Sequence, residues 1–239
     1  MAVKILITND DGINAEGLKL LVDKAKKFGE VMVVAPKVEQ SGKSHALTLR
    51  KPMEIKETDV FGDIKSYYVD STPADCVRYA YYGLKYNFDI LLSGVNKGYN
   101  VGDDIMYSGT AAAAFEASSM GKKAIAFSCC EESFDGFKSY INETIKFFAI
   151  NNLLNEWNLY NVNFPKNPKG IKITEVGGCN FTTYYNIIDG FYYQTGDNVT
   201  ESDVNKMHLD TACVMNSYVS ITPLTHVRTN LDIYKKLTN

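Results

Sequence analysis

The chain has few cysteines and histidines, and these few are scattered. Its 239 residues include five cysteines and three histidines, with no Cys-x-x-Cys pair. Zinc sites of the usual kind need clustered Cys and His ligands, so the sequence does not favour one. An odd cysteine count without paired spacing predicts reduced, partly buried thiols rather than a disulfide framework. The cysteines are Cys76, Cys129, Cys130, Cys179 and Cys213.

The sequence also lacks a basic cluster and a long hydrophobic run. The formal net charge is −3, and no stretch has the density of Lys and Arg that a nucleic-acid surface needs, so binding to a nucleic-acid polymer is not expected. The apolar runs are of strand length, well short of the roughly 20 residues that cross a bilayer, so no membrane association is expected. Without a basic start or a small-residue cleavage site, the sequence predicts a cytoplasmic protein.

Strand and helix signals alternate through the first two-thirds of the chain. Residues 3–8 form an apolar run typical of a buried parallel strand. A helix follows with apolar residues at the 3.6-residue period; we expect Asn14 to cap it and Gly29 to end it. Residues 31–36 read as a second buried strand, and Thr72-Pro73-Ala74-Asp75 is a strong helix start. This alternation predicts an α/β domain over residues 1–239 with a mostly parallel sheet.

Two segments predict hairpins. Residues 47–70 carry short alternating runs, which predict a hairpin beside the main sheet. Residues 178–205 predict a β-hairpin arm, because aromatic residues surround the turn signal Asp189-Gly190. A hairpin of this size is not stable alone, so it packs either on a second subunit or on its own core, and the sequence leaves both open. The aromatic residues are Tyr184, Tyr185, Phe191, Tyr192 and Tyr193.

The most informative feature is the acidic turn Asn9-Asp10-Asp11-Gly12, directly after the first strand. Side chains just past the carboxyl end of such a strand face the crevice where open α/β sheets bind ligands. Two adjacent carboxylates repel each other unless a proton or a cation lies between them. Hard oxygen ligands favour Mg²⁺, Mn²⁺ or Ca²⁺ over zinc. An acidic turn that only caps the next helix is the alternative.

Further oxygen donors follow two other strands of the same sheet. Ser41-Gly42 follows the second strand, and Gly94-Val95-Asn96 follows a later one. Two carboxylates, a hydroxyl and an amide carbonyl form a set that a Mg²⁺-like ion accepts, with water in its remaining positions. Such bound water has a lowered pKa and can attack an ester, while the ion neutralises a developing anion.

Residues 108–110, Ser-Gly-Thr, indicate which class of ester the predicted site would hydrolyse. Ser108 and Thr110 stand at the mouth of a helix that continues through four alanines. Free N–H groups and the macrodipole favour an anion at such a helix start, and a phosphate group fits there. An ordinary N-cap is the alternative explanation of the same residues.

Taken together, these motifs and their order resemble the stationary-phase survival protein SurE family. The resemblance runs from residue 4 to about residue 225. It implies a three-layer, Rossmann-like α/β fold with a protruding C-terminal hairpin that is exchanged between subunits of a homodimer or homotetramer. The motifs are Asn9-Asp10-Asp11-Gly12, Gln40-Ser41-Gly42, Ser71-Thr72-Pro73-Ala74-Asp75-Cys76-Val77, Ser93-Gly94-Val95-Asn96, Tyr107-Ser108-Gly109-Thr110 and Ser220-Ile221-Thr222-Pro223-Leu224.

The resemblance also implies an activity, the metal-dependent removal of phosphate from nucleoside monophosphates. By motif position the implied metal ligands are Asp10, Asp11, Ser41 and Asn96. The implied phosphate contacts are Asn9, Asn100, Ser108, Gly109 and Thr110. The sequence departs from the usual pattern of the family at four sites, none of which contains an implied metal ligand: Ser71, Ala111-Ala112, Leu209-Asp210 and Cys179.

The leading hypothesis is therefore a phosphomonoesterase that acts on nucleoside 5′- and 3′-monophosphates with one Mg²⁺ or Mn²⁺ per subunit. The predicted catalytic residues are Asp10, Asp11 and Asp104. Asp104 serves either as a general acid or base or only to orient its loop, and Asp10 as a covalent nucleophile ranks lower. A signalling receiver module, which also holds Mg²⁺ with an acidic pair, is the rival. A dinucleotide-binding dehydrogenase is disfavoured because the glycine fingerprint is absent after the first strand.

Overall fold

The structure, a computed structural model, describes residues 2–178, 182–197 and 203–238. Its strands are β1 (Lys4–Thr8), β2 (Glu30–Pro36), β3 (Ile55–Thr58), β4 (Ser66–Val69), β5 (Ile90–Lys97), β6 (Lys123–Cys129), β7 (Leu159–Phe164), β8 (Ile171–Ile173), β9 (Tyr184–Ile188), β10 (Phe191–Thr195) and β11 (Val219–Pro223). Its helices are α1 (Glu16–Ala25), α2 (Pro73–Arg78), α3 (Gly109–Ser119), α4 (Asp135–Ile150), α5 (Leu153–Glu156), α6 (Asp210–Met215) and α7 (Leu231–Thr238). A π-helical turn covers Tyr79–Gly83, and 3₁₀ helices cover Gly102–Tyr107 and Val204–Lys206.

Within the described ranges, nine strands form one mixed, mostly parallel sheet in the order β3-β4-β2-β1-β5-β6-β7-β11-β8. The six strands from β4 to β7 are parallel to one another. Their order along the sheet is the 3-2-1-4-5-6 arrangement of a doubly wound Rossmann fold. At the edges β3 pairs antiparallel with β4, and β11 pairs antiparallel with β7. The predicted α/β, mostly parallel fold is confirmed.

Helices cover both faces of this sheet and give the molecule three layers. On β1, Ile5 and Ile7 face the cluster formed by α1 and α4, whereas Leu6 faces the cluster formed by α2 and α3. This alternation follows from the two-residue period of a strand. Full burial of such a side chain contributes about 1.5–3 kcal/mol. Among the described residues, no helix is long and apolar enough to span a membrane.

Two local expectations need correction. Asn14 does not cap α1, which begins at Glu16 after Ala15 and has no side-chain cap. The Ala15 N–H donates to the Gly12 carbonyl at 3.1 Å, so a tight turn leaves Asn14 exposed one residue too early. The segment 47–70 does form a hairpin, but the hairpin belongs to the main sheet, because β4 pairs in parallel with β2.

The start of α2 is as predicted. Thr72 is the N-cap, and its hydroxyl oxygen accepts the Asp75 N–H at 3.2 Å. Pro73 occupies the first helical position, where a missing N–H has no consequence. The helix is short, however, and passes into the π-helical turn after Arg78.

Strands β9 and β10 pair antiparallel in a two-stranded sheet of their own. Asp189 and Gly190 connect them with positive φ angles of 53° and 82°, as the two central residues of a type I′ turn require. The predicted hairpin is confirmed within 184–195. Residues 179–181, including Cys179, and 198–202 lie outside the described part of the chain, so the limits 178–205 and the single-domain assignment remain predictions. Cys76, Cys129, Cys130 and Cys213 are buried free thiols.

Candidate active site

The strand order of the sheet reverses between β1 and β5, and the acidic pair lies at this point. β1 pairs with β2 on one side and with β5 on the other. Ligands of open α/β sheets bind in the crevice at the carboxyl ends of the strands, where the order reverses. Asp10 and Asp11 follow β1 there, and Gly98 follows β5.

Asp10 lies in direct contact with the first turn of α3. Its side chain is buried, with 4% of the residue exposed, and the Thr110 hydroxyl donates a hydrogen bond to its Oδ1. A Cβ atom on Gly109 would lie 2.8 Å from the Asp10 Cβ and 3.1 Å from Oδ2. Only glycine therefore allows this approach. Burial raises the pKa of the Asp10 carboxyl, although the hydrogen bond from Thr110 opposes the shift.

The neighbouring carboxylate, Asp11, is also in an unfavourable setting for a negative charge. Burial, the charge of Asp10 and the charge of Glu39 raise the pKa of Asp11 to about 7. A hydrogen bond from the Lys97 backbone opposes this shift and shows that Asp11 lies beside the end of β5. A cation between the two carboxylates would offset both the burial and the repulsion.

The loop that carries Ser41 is held against the acidic turn. The Gln40 N–H donates to the Asp10 carbonyl at 2.7 Å, and the Ser41 hydroxyl donates to Glu39 Oε1 at 2.7 Å. Sequence reasoning did not single out Glu39. The available signal was its position two residues before Ser41, in a loop already predicted to reach the acidic pair.

Asn96 is half-buried near the end of β5 and directs its amide nitrogen into its own loop. Nδ2 donates to the Gly98 carbonyl at 2.8 Å, so the amide oxygen is the atom left to act as a ligand. Within the described residues no three His, Cys, Asp or Glu side chains cluster closely enough to hold a metal. A metal at the acidic pair would therefore take its other ligands from hydroxyl oxygens, amide oxygens and water. This donor set fits Mg²⁺ or Mn²⁺.

The mouth of α3 supplies the groups predicted to contact phosphate. Ser108 is the N-cap, and its hydroxyl oxygen accepts the Ala111 N–H at 3.0 Å. The first N–H groups of a helix have no carbonyl partner within the helix. With the macrodipole, they form an anion-receptive end beside Asp10. Capping and anion binding are compatible, because the cap uses the hydroxyl of Ser108 and leaves the N–H groups of Gly109 and Thr110.

Asn9 and Asn100, the two asparagines predicted to contact phosphate, also form hydrogen bonds within the fold. Asn9 is fully buried, and its Nδ2 donates to the Gly12 carbonyl at 3.0 Å. In the described part of the chain its Oδ1 has no hydrogen-bond partner. Asn100 donates from Nδ2 to the Ser128 hydroxyl at 2.8 Å. Both roles toward phosphate remain predictions, as does the catalytic role of Asp104, which is half-buried in the 3₁₀ helix before α3.

A polar network beneath the loop after β5 was missed. The Asn100 N–H donates to Asn163 Oδ1 at 2.9 Å, and its carbonyl accepts from Asn161 Nδ2 at 2.7 Å and Asn163 Nδ2 at 3.0 Å. Both asparagines lie on β7 and are fully buried. Their alternation in an otherwise apolar strand was the available signal. The network fixes the loop that connects Asn96 with α3.

The hydrogen bonds of Asp210 are a second feature that the sequence did not reveal. Its buried carboxylate accepts N–H groups from Gly102 at 3.1 Å, from Gly177 at 2.8 Å and from Thr211 at 2.8 Å. Burial raises the pKa of Asp210, and these backbone hydrogen bonds oppose the shift. The carboxylate thus ties the loop before α3 to the segment that leads to β9.

The chain is similar to known proteins over most of its length. The family model described as "Survival protein SurE" matches residues 5–183. A protein of Clostridium beijerinckii named "5'-nucleotidase SurE" is 36% identical over 236 residues, which cover 93% of this chain and 92% of that protein. A protein of the same name from Legionella pneumophila is 35% identical over 248 residues, which cover 99% and 96%.

A solved structure shows the same similarity in three dimensions. It is the SurE protein of Aquifex aeolicus, with a TM-score of 0.81 and 32% sequence identity. The superposition covers 98% of each chain. The similarity therefore extends over nearly the whole length of the chain.

Proposed function

The chain belongs to the SurE family, and on that premise we propose that it hydrolyses nucleoside 5′- and 3′-monophosphates to nucleoside and phosphate. The names of its relatives support a 5′-nucleotidase, which is a phosphoric monoester hydrolase. Activity on 3′-monophosphates and dependence on a metal are the finer parts of this proposal. They rest on the chemistry of the site.

The observation that carries the proposal is the contact between Asp10 and the N-terminus of α3. The Thr110 hydroxyl donates to the Asp10 carboxylate, and Gly109 brings the backbone against it. A carboxylate suited to a metal and a helix end suited to an anion are thus adjacent. A phosphate monoester needs both, because its oxygens are anionic in the ground state and carry developing charge in the transition state.

The residues that would hold one Mg²⁺ or Mn²⁺ per subunit are Asp10, Asp11, Ser41 and Asn96. When bound, such an ion supplies a water of lowered pKa and polarises a phosphate oxygen. The N–H groups of Gly109 and Thr110 would bind the remaining phosphate oxygens. Burial of Asp10 and its hydrogen bond from Thr110 keep this carboxylate in one orientation, so it stays directed at the same point throughout the reaction.

The receiver-module alternative does not match the sheet. Receiver modules have the strand order 2-1-3-4-5, whereas the parallel core here has the order 3-2-1-4-5-6. The family comparison likewise covers the acidic pair and the helix mouth within residues 5–183. We therefore retain only the hydrolase proposal.

For the assembly we propose a homodimer or homotetramer built through the β9–β10 hairpin. Every residue of β9 is exposed, and on β10 the aromatic residues Phe191, Tyr192 and Tyr193 are exposed by half or more. Exposed apolar patches of this kind mark protein interfaces. The cytoplasmic location remains a prediction.

The experiment is a phosphate-release assay with a panel of nucleoside 5′- and 3′-monophosphates, with EDTA and with Mn²⁺ or Mg²⁺. We expect turnover that EDTA removes and the metal restores. Asp11→Asn should abolish turnover at saturating Mn²⁺ without loss of the fold, while Asp63→Asn, an exposed acid in the β3–β4 loop, should retain it. Near-normal turnover in Asp11→Asn would contradict the metal proposal. Stable self-labelling by acetyl phosphate without phosphate release would contradict the hydrolase proposal.

A further inference from the structure

A cavity of about 370 Å³ runs along α3 and begins at its N-cap. Four of its lining residues are Ser108, Ala112, Phe115 and Ser119. A spacing of three or four residues places them on one face of the helix. With a rise of 1.5 Å per residue, this face extends about 16 Å from the predicted phosphate site. The cavity is thus continuous with the mouth of α3.

The chemistry of the walls is that of a small-molecule site. The lining includes the apolar side chains of Ile105, Met106 and Phe115 and the polar side chains of His226 and Arg228. Apolar walls with a few polar groups, within about 300–1,000 Å³, are typical of ligand pockets. Among the residues described, the lining includes no carboxylate. It therefore does not repel a ligand that carries phosphate.

The lining of the cavity includes a fixed imidazole, that of His45. His45 Nε2 lies 2.8 Å from Glu116 Oε2, and Arg78 Nη1 donates to Glu116 Oε1 at 2.7 Å. Glu116 is buried, so it orients His45 by a bond that water does not replace. The Ser44 N–H also donates to the Tyr107 carbonyl at 3.1 Å, which fastens the loop of His45 to the residue before Ser108.

A second residue of the lining, His226, also has a hydrogen-bond partner. The Ser118 hydroxyl lies 2.9 Å from His226 Nδ1. The Trp157 indole N–H donates to the Leu224 carbonyl, two residues earlier in the same segment. Hydrogen bonds therefore hold two residues of the lining, His45 and His226, in place.

We propose that this cavity binds the nucleoside moiety of the substrate. Phe115 provides an apolar surface for the base, and His45 and Arg228 supply polar groups that bond to the nucleoside. The inference rests on the proposed nucleotidase function, because it extends the phosphate site at Ser108 into a nucleotide site. Aromatic and guanidinium groups recognise bases in this way in other proteins.

A second cavity near the site is less suitable. It has a volume of about 420 Å³ and is lined by Tyr99, Glu131 and Glu132, among others. Lys166 pairs with Glu132 at 2.6 Å, which leaves the charge of Glu131 to repel a phosphorylated ligand. Because Tyr99 is aromatic and follows β5, this cavity is the proper control for the first.

The test compares steady-state kinetics of the wild type with Ala112→Leu, which fills the cavity, and with Arg228→Ala, an exposed change that leaves the core intact. The substrates are nucleoside monophosphates and glycerol phosphate, which has no base. For the nucleotides we expect KM to rise about tenfold with little change in kcat, as the loss of one good contact predicts. For glycerol phosphate, kcat/KM should not change. Tyr99→Leu should leave both substrates unaffected.

A calorimetric titration with the nucleoside alone, in EDTA, separates this inference from the proposed function. We expect binding to the wild type and to Tyr99→Leu, and at least tenfold weaker binding to Ala112→Leu and Arg228→Ala. Unchanged nucleotide KM and nucleoside affinity in both variants, or a loss confined to Tyr99→Leu, would overturn the inference. If the wild type binds the nucleoside but releases no phosphate, the proposed function fails and the cavity assignment stands.

Discussion

Replacement of Gly109 by alanine tests the contact on which the proposed site depends. The new Cβ atom would lie 2.8 Å from the Asp10 Cβ and 3.2 Å from the Pro73 Cγ. Ordinary contacts between carbon atoms are about 3.5–4.0 Å, so α3 and Asp10 have to separate by roughly 1 Å. The Asp10 Cβ cannot move aside alone, because it is fixed to the backbone just past β1.

The Gly109→Ala change should lower the stability slightly and the catalytic rate strongly. Crowding of this kind costs about 1–3 kcal/mol, while alanine in a helix regains about 0.5–1 kcal/mol relative to glycine. We therefore expect a net loss of about 1 kcal/mol, or a Tm lower by roughly 2–4 °C in a protein of this size. Catalysis should suffer more, since a displacement of about 1 Å costs on the order of 100-fold in rate.

The assay is phosphate release from a nucleoside monophosphate at saturating Mn²⁺, together with thermal unfolding. Gly178→Ala is the matched control, because a Cβ there meets no atom of the described residues within 4 Å; it should keep both activity and stability. If Gly109→Ala retained kcat/KM within about threefold of the wild type, or if Gly178→Ala lost as much, the contact between α3 and Asp10 would not be essential to the reaction.

Three further predictions concern charge, metal and assembly. Burial raises the pKa of Glu116, but hydrogen bonds from His45 and Arg78 outweigh it, and the net shift is downward. The stabilising effect of this carboxylate is therefore present above pH 4.5 and is lost as the pH falls through the lower, folded-state pKa. Glu116→Gln should cost about 1.5–3 kcal/mol at neutral pH and flatten the acid limb of the plot of Tm against pH; an unchanged limb would refute this prediction. Mn²⁺ at 100 times its Kd should raise Tm by roughly 5–10 °C over the protein in EDTA; no shift would contradict a bound ion. Tyr192→Lys, in the exposed hairpin, should lower the oligomeric mass measured by light scattering; an unchanged mass would exclude this face from the interface.

Short-range signals in the sequence were sufficient to predict several elements of the structure. The cap of Thr72, the proline after it and the carboxyl of Asp75 define the start of α2 within four residues. The Asp189-Gly190 turn was readable because both residues tolerate positive φ. The acidic pair was readable because a buried strand precedes it. Each of these signals lies within a few residues of the structure it determines.

Other features depend on contacts between distant parts of the chain. The sequence did not show that β4 joins β2, nor that Ala15 rather than Asn14 precedes α1, because both depend on which backbone groups meet after folding. It also did not show the hydrogen bonds that Asp210 accepts from Gly102, since 108 residues separate the two.

For this protein, then, the sequence by itself determined which residue types follow each strand, and hence the oxygen-rich chemistry. Only the tertiary structure decided how they meet. It placed β1 next to β5 and brought the mouth of α3 onto Asp10, through a glycine whose missing side chain makes room for the carboxylate. The physical reason is that strand order and close packing depend on burial of the whole sheet between its helices, which no short stretch of sequence encodes.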